Sequence, residues 1–354
     1  MPETPLLHVE NLRTSFGREN PLVAVDGISY GLREGETLGI VGESGAGKSV
    51  SVRSLVGLID DGDVEGSVRW RGEELVGASS RKLRSVRGSG IGMVFQNAEA
   101  AFDPSRTVGA QIVEAVRASR DLSKRAARSE AISLLEEVGI GDPEGRFGDY
   151  PHEYSGGMAQ RAIIAMALAG EPDLLIADEP TTGLDVSVQA GIVDLFRDLV
   201  AERDMSLLLI SHDLGVVSQL SERILVMYAG RIIERGSRKQ LLGSPRHPYT
   251  QAFLRSVPDV DVRKDLEPIR GAPPSLDDPP TGCRFHPRCP AAEAGICDGE
   301  APPTVDFGDG HEATCYAYTD AHPGGDDYDR AAVESVEWEA NGTAAADEPA
   351  EVDR

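Results

Sequence analysis

The chain has 354 residues, 59 of them Asp or Glu against 35 Lys or Arg, which leaves a net charge of −24 and a pI near 4.7. That length supports two domains with sizeable cores, and so acidic a surface repels a phosphate backbone, which argues against nucleic-acid binding through a basic face. Only five lysines stand among the cations, a balance suited to solvation in concentrated salt, so a halophilic source is an expectation.

No stretch reaches the roughly 18 apolar residues of a membrane-spanning helix; the longest run, Ala162 to Ala169, has eight. Pro2-Glu3-Thr4-Pro5 is neither basic nor followed by a long apolar region, so no signal peptide is visible and a soluble, cytoplasmic protein is expected.

In chain order, residues 6–95 are predicted to be rich in strands, with alternation at Leu7-His8-Val9-Glu10 and Ser67-Val68-Arg69-Trp70. Within them, Thr37-Leu38-Gly39-Ile40-Val41 is an apolar strand run. It leads into Gly42-Glu43-Ser44-Gly45-Ala46-Gly47-Lys48-Ser49, which fills the pattern G-x-x-x-x-G-K-S. A breaker-free segment of helical potential, Val50 to Val56, follows. A phosphate-binding loop needs this strand–loop–helix context. Its glycines let backbone N–H groups wrap a triphosphate, Lys48 offers a point charge, and the Ser49 hydroxyl can ligate Mg²⁺. The bland alternative is a glycine-rich turn.

Arg81 to Arg87 is a basic cluster, better read as a solvated turn or helix than as a nucleic-acid patch. Residues 108–139 are helical in pattern, with Ile132, Leu135 and Val138 expected on one face and Gly139 and Pro143 ending the segment. Ser155-Gly156-Gly157 precedes the apolar helix-like run 162–169. Ser155 can cap that helix, and the two glycines leave its N-terminus open to a phosphate. Leu174 to Ala177 is a buried-strand run ending in Asp178-Glu179. Asp178 fits a carboxylate holding Mg²⁺ through water, and Glu179 is the candidate to polarise an attacking water. Two solvated acids at a strand end are the alternative. His212 follows the apolar run 207–210, where a strand-end histidine is the plain alternative. From Leu174 to Glu234 strands and helices alternate, as in a parallel sheet.

The order of the phosphate-binding loop, Gln96, the Ser-Gly-Gly helix, the Asp-Glu strand, Gly183-Leu184-Asp185 and His212 resembles the ATP-binding cassette (ABC) ATPases over residues 6–240. The resemblance implies an α/β P-loop NTPase with a RecA-like core, an antiparallel β subdomain, and a helical subdomain at about 104–165. It further implies that Ser155-Gly156-Gly157 is a signature motif contacting the nucleotide of a partner subunit, with Tyr154 and Met158 departing from the commonest spelling. Gln96 would lie near Mg²⁺ and the transport-domain contact, and Asp185 at the dimer seam. His212 would contact the γ-phosphate and Phe16 would lie against adenine, although an aromatic in an early strand also suits a core.

After Gly236 the chain changes character. Ser244-Pro245-Arg246-His247-Pro248-Tyr249-Thr250 resembles the C-terminal extension of ATPase subunits from oligopeptide, dipeptide and nickel importers. The expected division is a nucleotide-binding domain at 1–236, the extension at 237–319, and a disordered acidic tail at 320–354 that holds eleven acids and two arginines.

All four cysteines cluster at Cys283, Cys289, Cys297 and Cys315. In a reducing compartment that favours a tetrathiolate metal site over disulfides. The closely spaced pairs common in zinc sites are absent, and long unequal spacing suits a 4Fe-4S cluster at least as well. Zinc and free or oxidised thiols stay open, while the resemblance implies the cluster.

The resemblance implies an ATP-hydrolysing importer subunit for peptides, with a nickel importer as the alternative. Its partners would be two membrane permeases, a second and related ATPase, and an extracellular substrate-binding protein reached through the permeases. It would sit at the cytoplasmic face of the membrane. A soluble ATPase of DNA repair or of ribosomes would instead show a basic surface, two cassettes or a long coiled coil.

Overall fold

The computed structural model describes residues 5–17, 19–96, 98–256 and 268–322. Strands β1 (Leu7–Phe16) and β2 (Leu22–Leu32) form an antiparallel pair. Next come the short buried strand β3 (Thr37–Val41) and helix α1 (Lys48–Leu55). Then β4 (Gly62–Trp70) and β5 (Glu73–Glu74) complete a four-stranded antiparallel sheet in the order β2-β1-β4-β5. The alternation in the sequence sets its inward face, because Leu7 and Val9 are buried while Glu10 is exposed. Thr14 and Ser54 share a buried 2.8 Å hydrogen bond that ties this sheet to α1.

The basic cluster at 81–87 forms helix α2 (Ser80–Val86), capped by Ser79. Arg87 at its end donates from Nε to the carbonyl of Val56 at 2.8 Å, so it secures the turn after α1. Strand β6 (Ile91–Val94) and the single turn α3 (Ala98–Ala101) lead to α4 (Val108–Ser119) and α5 (Lys124–Glu137). The turn α6 (Pro143–Arg146) and α7 (Gly156–Leu168) complete the helical layer. Thr107, Ser123 and Ser155 each cap a helix by accepting a backbone N–H. Helix α5 starts earlier than its hydrophobic pattern indicates. Its inward stripe is Ala127, Ala131, Leu134, Leu135 and then Val138 at its C-cap, whereas Ile132 is only half-buried. The spacing of four, three and four residues follows the helical period, and the small Ala127 carries the first contact.

The core sheet adds β7 (Leu174–Asp178), helix α8 (Val186–Arg203), β8 (Ser206–Ser211), helix α9 (Leu214–Leu220) and β9 (Arg223–Tyr228). Strands β9-β3-β8-β7-β6 lie side by side and are all parallel. They are apolar except at their ends because both faces are covered. The period of two sends Leu175, Ala177, Leu207 and Leu209 into the cluster shared with the helical layer. Leu174, Ile176, Leu208 and Ile210 point the other way, into the cluster under the antiparallel sheet.

The chain then turns back as β10 (Arg231–Ser237), antiparallel to β9, so the division expected after residue 236 falls inside a strand. Helices α10 (Arg238–Gly243) and α11 (Pro248–Ser256) follow. Strands β11 (Thr304–Asp306) and β12 (Glu312–Thr314) pair with each other, and β12 pairs with β10. The extension therefore lengthens the core sheet to eight strands, β11-β12-β10-β9-β3-β8-β7-β6. Glu234 of β10, 1% exposed, accepts from the backbone N–H of Arg246 at 2.6 Å and of His247 at 2.9 Å, and contacts His311 Nε2 at 2.9 Å. Of the segment expected to be a disordered acidic tail, residues 323–354 lie outside the described residues.

Candidate functional site

Strand β3 ends at Val41 and α1 begins at Lys48, and the loop between them is packed too tightly for side chains at two points. A Cβ on Gly42 would lie 2.1 Å from the carbonyl oxygen of Met227. On Gly47, whose φ is +95°, it would lie 2.1 Å from that of Ala24. Gly45 has open space around it, and Ala46 is buried with its carbonyl accepting the Gly230 N–H at 2.9 Å. Lys48 is 4% exposed, and its Nζ donates to the carbonyls of Gly42 at 2.8 Å and Glu43 at 3.0 Å. The same Nζ is 3.4 Å from Glu179 Oε1. Burial pulls the Lys48 pKa down, against the opposing pull of the Glu179 and Asp178 carboxylates.

Asp178, at the end of β7, is fully buried and accepts from Ser49 Oγ at 2.7 Å through Oδ1. Its other oxygen, Oδ2, has no hydrogen-bond partner, although Arg53 Nη2 stands 3.8 Å away. Burial raises the Asp178 pKa, opposed by the Ser49 hydrogen bond and the charge of Arg53. A buried orphan oxygen beside a hydroxyl is the donor set of a hard cation, so Ser49 and Asp178 fit Mg²⁺.

Glu179 follows with φ +50°, a left-handed backbone uncommon for a residue with a Cβ. Its N–H donates to the carbonyl of Ile210 at 2.8 Å, so the end of β8 holds it there. Oε2 accepts from Thr182 Oγ1 at 2.9 Å, meets His212 Nδ1 at 2.8 Å, and accepts from Gln96 Nε2 at 3.4 Å. Burial pushes the Glu179 pKa up, yet the Thr182 hydrogen bond, the Lys48 charge and the His212 hydrogen bond outweigh it and hold the carboxyl below its ordinary range.

Six predicted residues, Lys48, Ser49, Gln96, Asp178, Glu179 and His212, thus form one cluster at the strand ends. Arg53 and Thr182 belong to it but were not among the predicted site residues. A Thr three residues after a carboxylate, across the turn from Glu179 to Thr182, is the only local hint of the latter. Other predicted residues lie outside this cluster. Exposed Ser155 caps α7, accepting the Met158 N–H at 3.3 Å, beside exposed Gly156. A Cβ on Gly157 would meet Val188 Cγ1 at 2.6 Å, which brings α7 against α8. Asp185 caps α8 through the Val188 N–H at 3.0 Å and accepts from Ser187 Oγ at 2.6 Å. Phe16 is half-buried at the end of β1, opposite Gly62. Among the described residues no hydrogen bond or ion pair joins Ser155, Gly156, Gly157, Asp185 or Phe16 to Lys48 or Glu179.

The expected metal centre on the cysteines, 4Fe-4S or zinc, is corrected by the structure. Cys283, Cys289, Cys297 and Cys315 are free thiols lining one small cavity. Among the described residues no group of three or more His, Cys, Asp or Glu is arranged to hold a metal ion. Burial raises the Cys283 pKa and pushes Cys289 and Cys315 up to about 12, so the packing around these sulfurs disfavours free thiolates.

The chain matches the family model for ABC transporters over residues 25–182 and the model for the oligopeptide/dipeptide transporter C-terminal region over residues 233–297. It is 46% identical to a dipeptide transport ATP-binding protein of Bacillus subtilis, covering 88% of this chain and 94% of that protein. Its counterpart in Escherichia coli is 44% identical, with 88% and 96% covered. Among solved structures, a dimeric ATP-binding cassette in a post-hydrolysis state bound to ADP and Pi is 26% identical with a TM-score of 0.60, covering 66% of this chain and 98% of that one. The cbiO1 protein of the cbiONQ ABC transporter complex from Clostridium perfringens is 27% identical with a TM-score of 0.59, covering 68% and 91%. None of these supports the expected halophilic source. Much of the acidic surplus is local, since residues 320–354 hold eleven of the 59 acids and two of the 35 cations.

Proposed function

Because the chain belongs to the family of ABC transporter ATPases, we propose that it is the ATP-hydrolysing subunit of an importer of dipeptides or short peptides. The observation that carries this reading is the Lys48–Glu179–His212 cluster beside the Ser49–Asp178 pair. The N–H groups of the 42–47 loop other than those of Glu43 and Ala46, which are already bonded within the protein, and the N-terminus of α1 cradle the phosphates. Lys48 exchanges its two carbonyl acceptors for phosphate oxygens. Ser49 and Asp178 would hold Mg²⁺, with Gln96 beside them, and the ion would supply positive charge to the triphosphate. Glu179, kept ionised by Thr182, Lys48 and His212, accepts a proton from the attacking water. His212 also reaches the γ-phosphate, and Phe16 stacks on adenine.

Exposed Ser155, with Gly156, Gly157 and Asp185, faces the nucleotide of a second, related cassette. Two permeases dock beside Gln96. A largely apolar groove of about 670 Å³ there, lined by Met93, Phe95, Ala115, Ile163 and Met166, supports that seat. Among the described residues no helix is long and apolar enough to cross a membrane, so attachment at the cytoplasmic face goes through those permeases. A substrate-binding protein delivers peptide to them from outside. The relatives are named for dipeptide and peptide transport, which favours peptide over nickel.

The test is reconstitution with the permeases and the binding protein in proteoliposomes. Dipeptides should stimulate ATP hydrolysis and enter the vesicles. Stimulation by nickel salts alone would reassign the substrate.

A further inference from the structure

Among the described residues, the hydrogen bonds and ion pairs from the C-terminal extension to the phosphate-binding loop all fall on Glu43. Its carboxylate takes two parallel bonds from Arg288, Nη1 to Oε2 at 2.7 Å and Nη2 to Oε1 at 3.1 Å. Its N–H donates to the Tyr249 hydroxyl at 3.0 Å. Its carbonyl receives Lys48 Nζ at 3.0 Å. One residue thus links the extension to the lysine of the nucleotide site, across 245 positions of sequence.

Arg288 is built into this place. Its side chain is 5% exposed, Nε donates to the carbonyl of Arg270 at 2.9 Å, and Nη1 reaches the Tyr228 hydroxyl at 3.2 Å. The rings of Tyr228, Tyr249 and Phe285 pack together beside it, with centroids 4.6 to 5.4 Å apart. One turn earlier, Arg284 pairs with Asp26 of β2 at 2.6 Å and anchors the same segment. A flat, two-pronged guanidinium held this rigidly matches a carboxylate in a way a lysine cannot.

A carboxylate in a loop that wraps a triphosphate repels its own ligand unless it is neutralised. We propose that Arg288 is a positioning residue for ATP: it cancels the charge of Glu43 and, with Tyr249, fixes the first turn of the phosphate-binding loop, so that the extension sets the nucleotide affinity of the core. This rests on the ATP site proposed above. The step is one of binding, so it acts on KM for ATP more than on kcat.

The test compares the full chain with Arg288→Ala, Arg288→Lys and the double variant Arg288→Ala/Glu43→Gln, in ATP titration and steady-state hydrolysis. Arg288→Ala should raise the Kd and KM for ATP about tenfold while kcat stays within about twofold. Arg288→Lys should recover only part of this loss, because an ammonium cannot bond both oxygens in plane. Removing the charge of Glu43 as well should restore most of the affinity. A role confined to holding the extension folded predicts no such restoration. Arg288→Ala that binds ATP like the wild type, or a double variant no better than the single, overturns the proposal. If Arg288→Ala does not fold, Arg288→Lys against Glu43→Gln/Arg288→Lys decides it by the same criterion. Wild-type protein that binds no ATP, or a Lys48→Ala variant that binds as well as wild type, would instead refute the ATP site itself.

Discussion

The parallel core and the C-terminal extension share one sheet and one hydrophobic cluster but lean differently on directed polar contacts. In the core, strands β3, β7 and β8 are buried over their whole length, and polar groups gather only where they end. That is where open α/β sheets place ligands. Among the described residues, the extension has helices of six and nine residues, two single 3-10 turns and two strands of three. Leu241, Tyr249, Phe253 and Phe285 join the core's hydrophobic cluster, and directed polar hooks add to that packing: His311 on Glu234, Arg284 on Asp26, and Arg288 on Glu43. Apolar burial is non-directional and tolerates volume-conserving exchange. A buried ion pair fails when one partner is removed. The core should therefore lose chemistry without losing its fold when a site residue changes, while the extension should respond to single charges and to pH.

The largest expected effect tests the first half of that contrast. Glu179→Gln keeps a side chain of the same shape between Thr182, Gln96 and His212 but cannot accept a proton. Hydrolysis should fall by about 10²- to 10⁴-fold, with ATP binding retained and the melting temperature nearly unchanged. Turnover close to wild type would move the base elsewhere. Because its neighbours hold the Glu179 pKa below the ordinary glutamate range, the carboxylate stays ionised at neutral pH, and wild-type hydrolysis should lose this group only in strongly acidic buffer.

The second effect belongs to the extension. His247 is 1% exposed, and burial lowers its pKa from 6.5 to about 4. Unfolded, the ring takes up a proton as pH falls below 6.5; folded, it stays neutral until about 4. Its contribution is thus fully present above 6.5 and is lost as pH falls through this window, by about 3 kcal/mol in all. The neutral ring is needed because Nδ1 accepts the Tyr249 N–H at 3.0 Å. His247→Asn keeps an acceptor near that position and removes the titration. Thermal melts from pH 7 down to 4 should show a steeper loss of stability in wild type than in this variant. Parallel curves would mean that His247 does not drive the acid sensitivity.

The two regions also differ in how much of them can be read from sequence. The phosphate-binding loop is legible because close backbone approach at Gly42 and Gly47 tolerates no other residue, and chemistry limits Lys48 and Ser49 nearly as tightly. Continuous apolar runs announce β7 and β8. The contacts of Arg53 and Thr182 are not announced, since Arg and Thr at such positions have many uses and only folding aims them at Asp178 and Glu179. Strands β11 and β12 are too short for alternation to register, and no local pattern reports that Arg288 will meet Glu43. The cysteines mislead for a related reason. Their clustering does bring the four sulfurs to one cavity, but spacing in sequence does not report whether side chains are aimed as a metal site, and among the described residues they are not.

The smallest expected effect lies on the core's exposed rim. Ser155 caps α7 through the Met158 N–H, and losing such a cap typically costs about 1 kcal/mol. Ser155→Ala should therefore lower the melting temperature of the isolated chain slightly. The hydroxyl lies outside the Lys48 cluster, so ATP affinity of the isolated chain should not change. Hydrolysis in the assembled pair should fall, because there Ser155 is proposed to complete the partner's phosphate site. Ser155→Asp separates the two roles, since aspartate caps a helix as well as serine but brings a negative charge to a phosphate. It should match wild type in melting and be the poorer of the two variants in paired hydrolysis. If Ser155→Asp hydrolyses ATP like wild type in the pair, Ser155 is only a helix cap, and the cassette's second face must be sought elsewhere on α7.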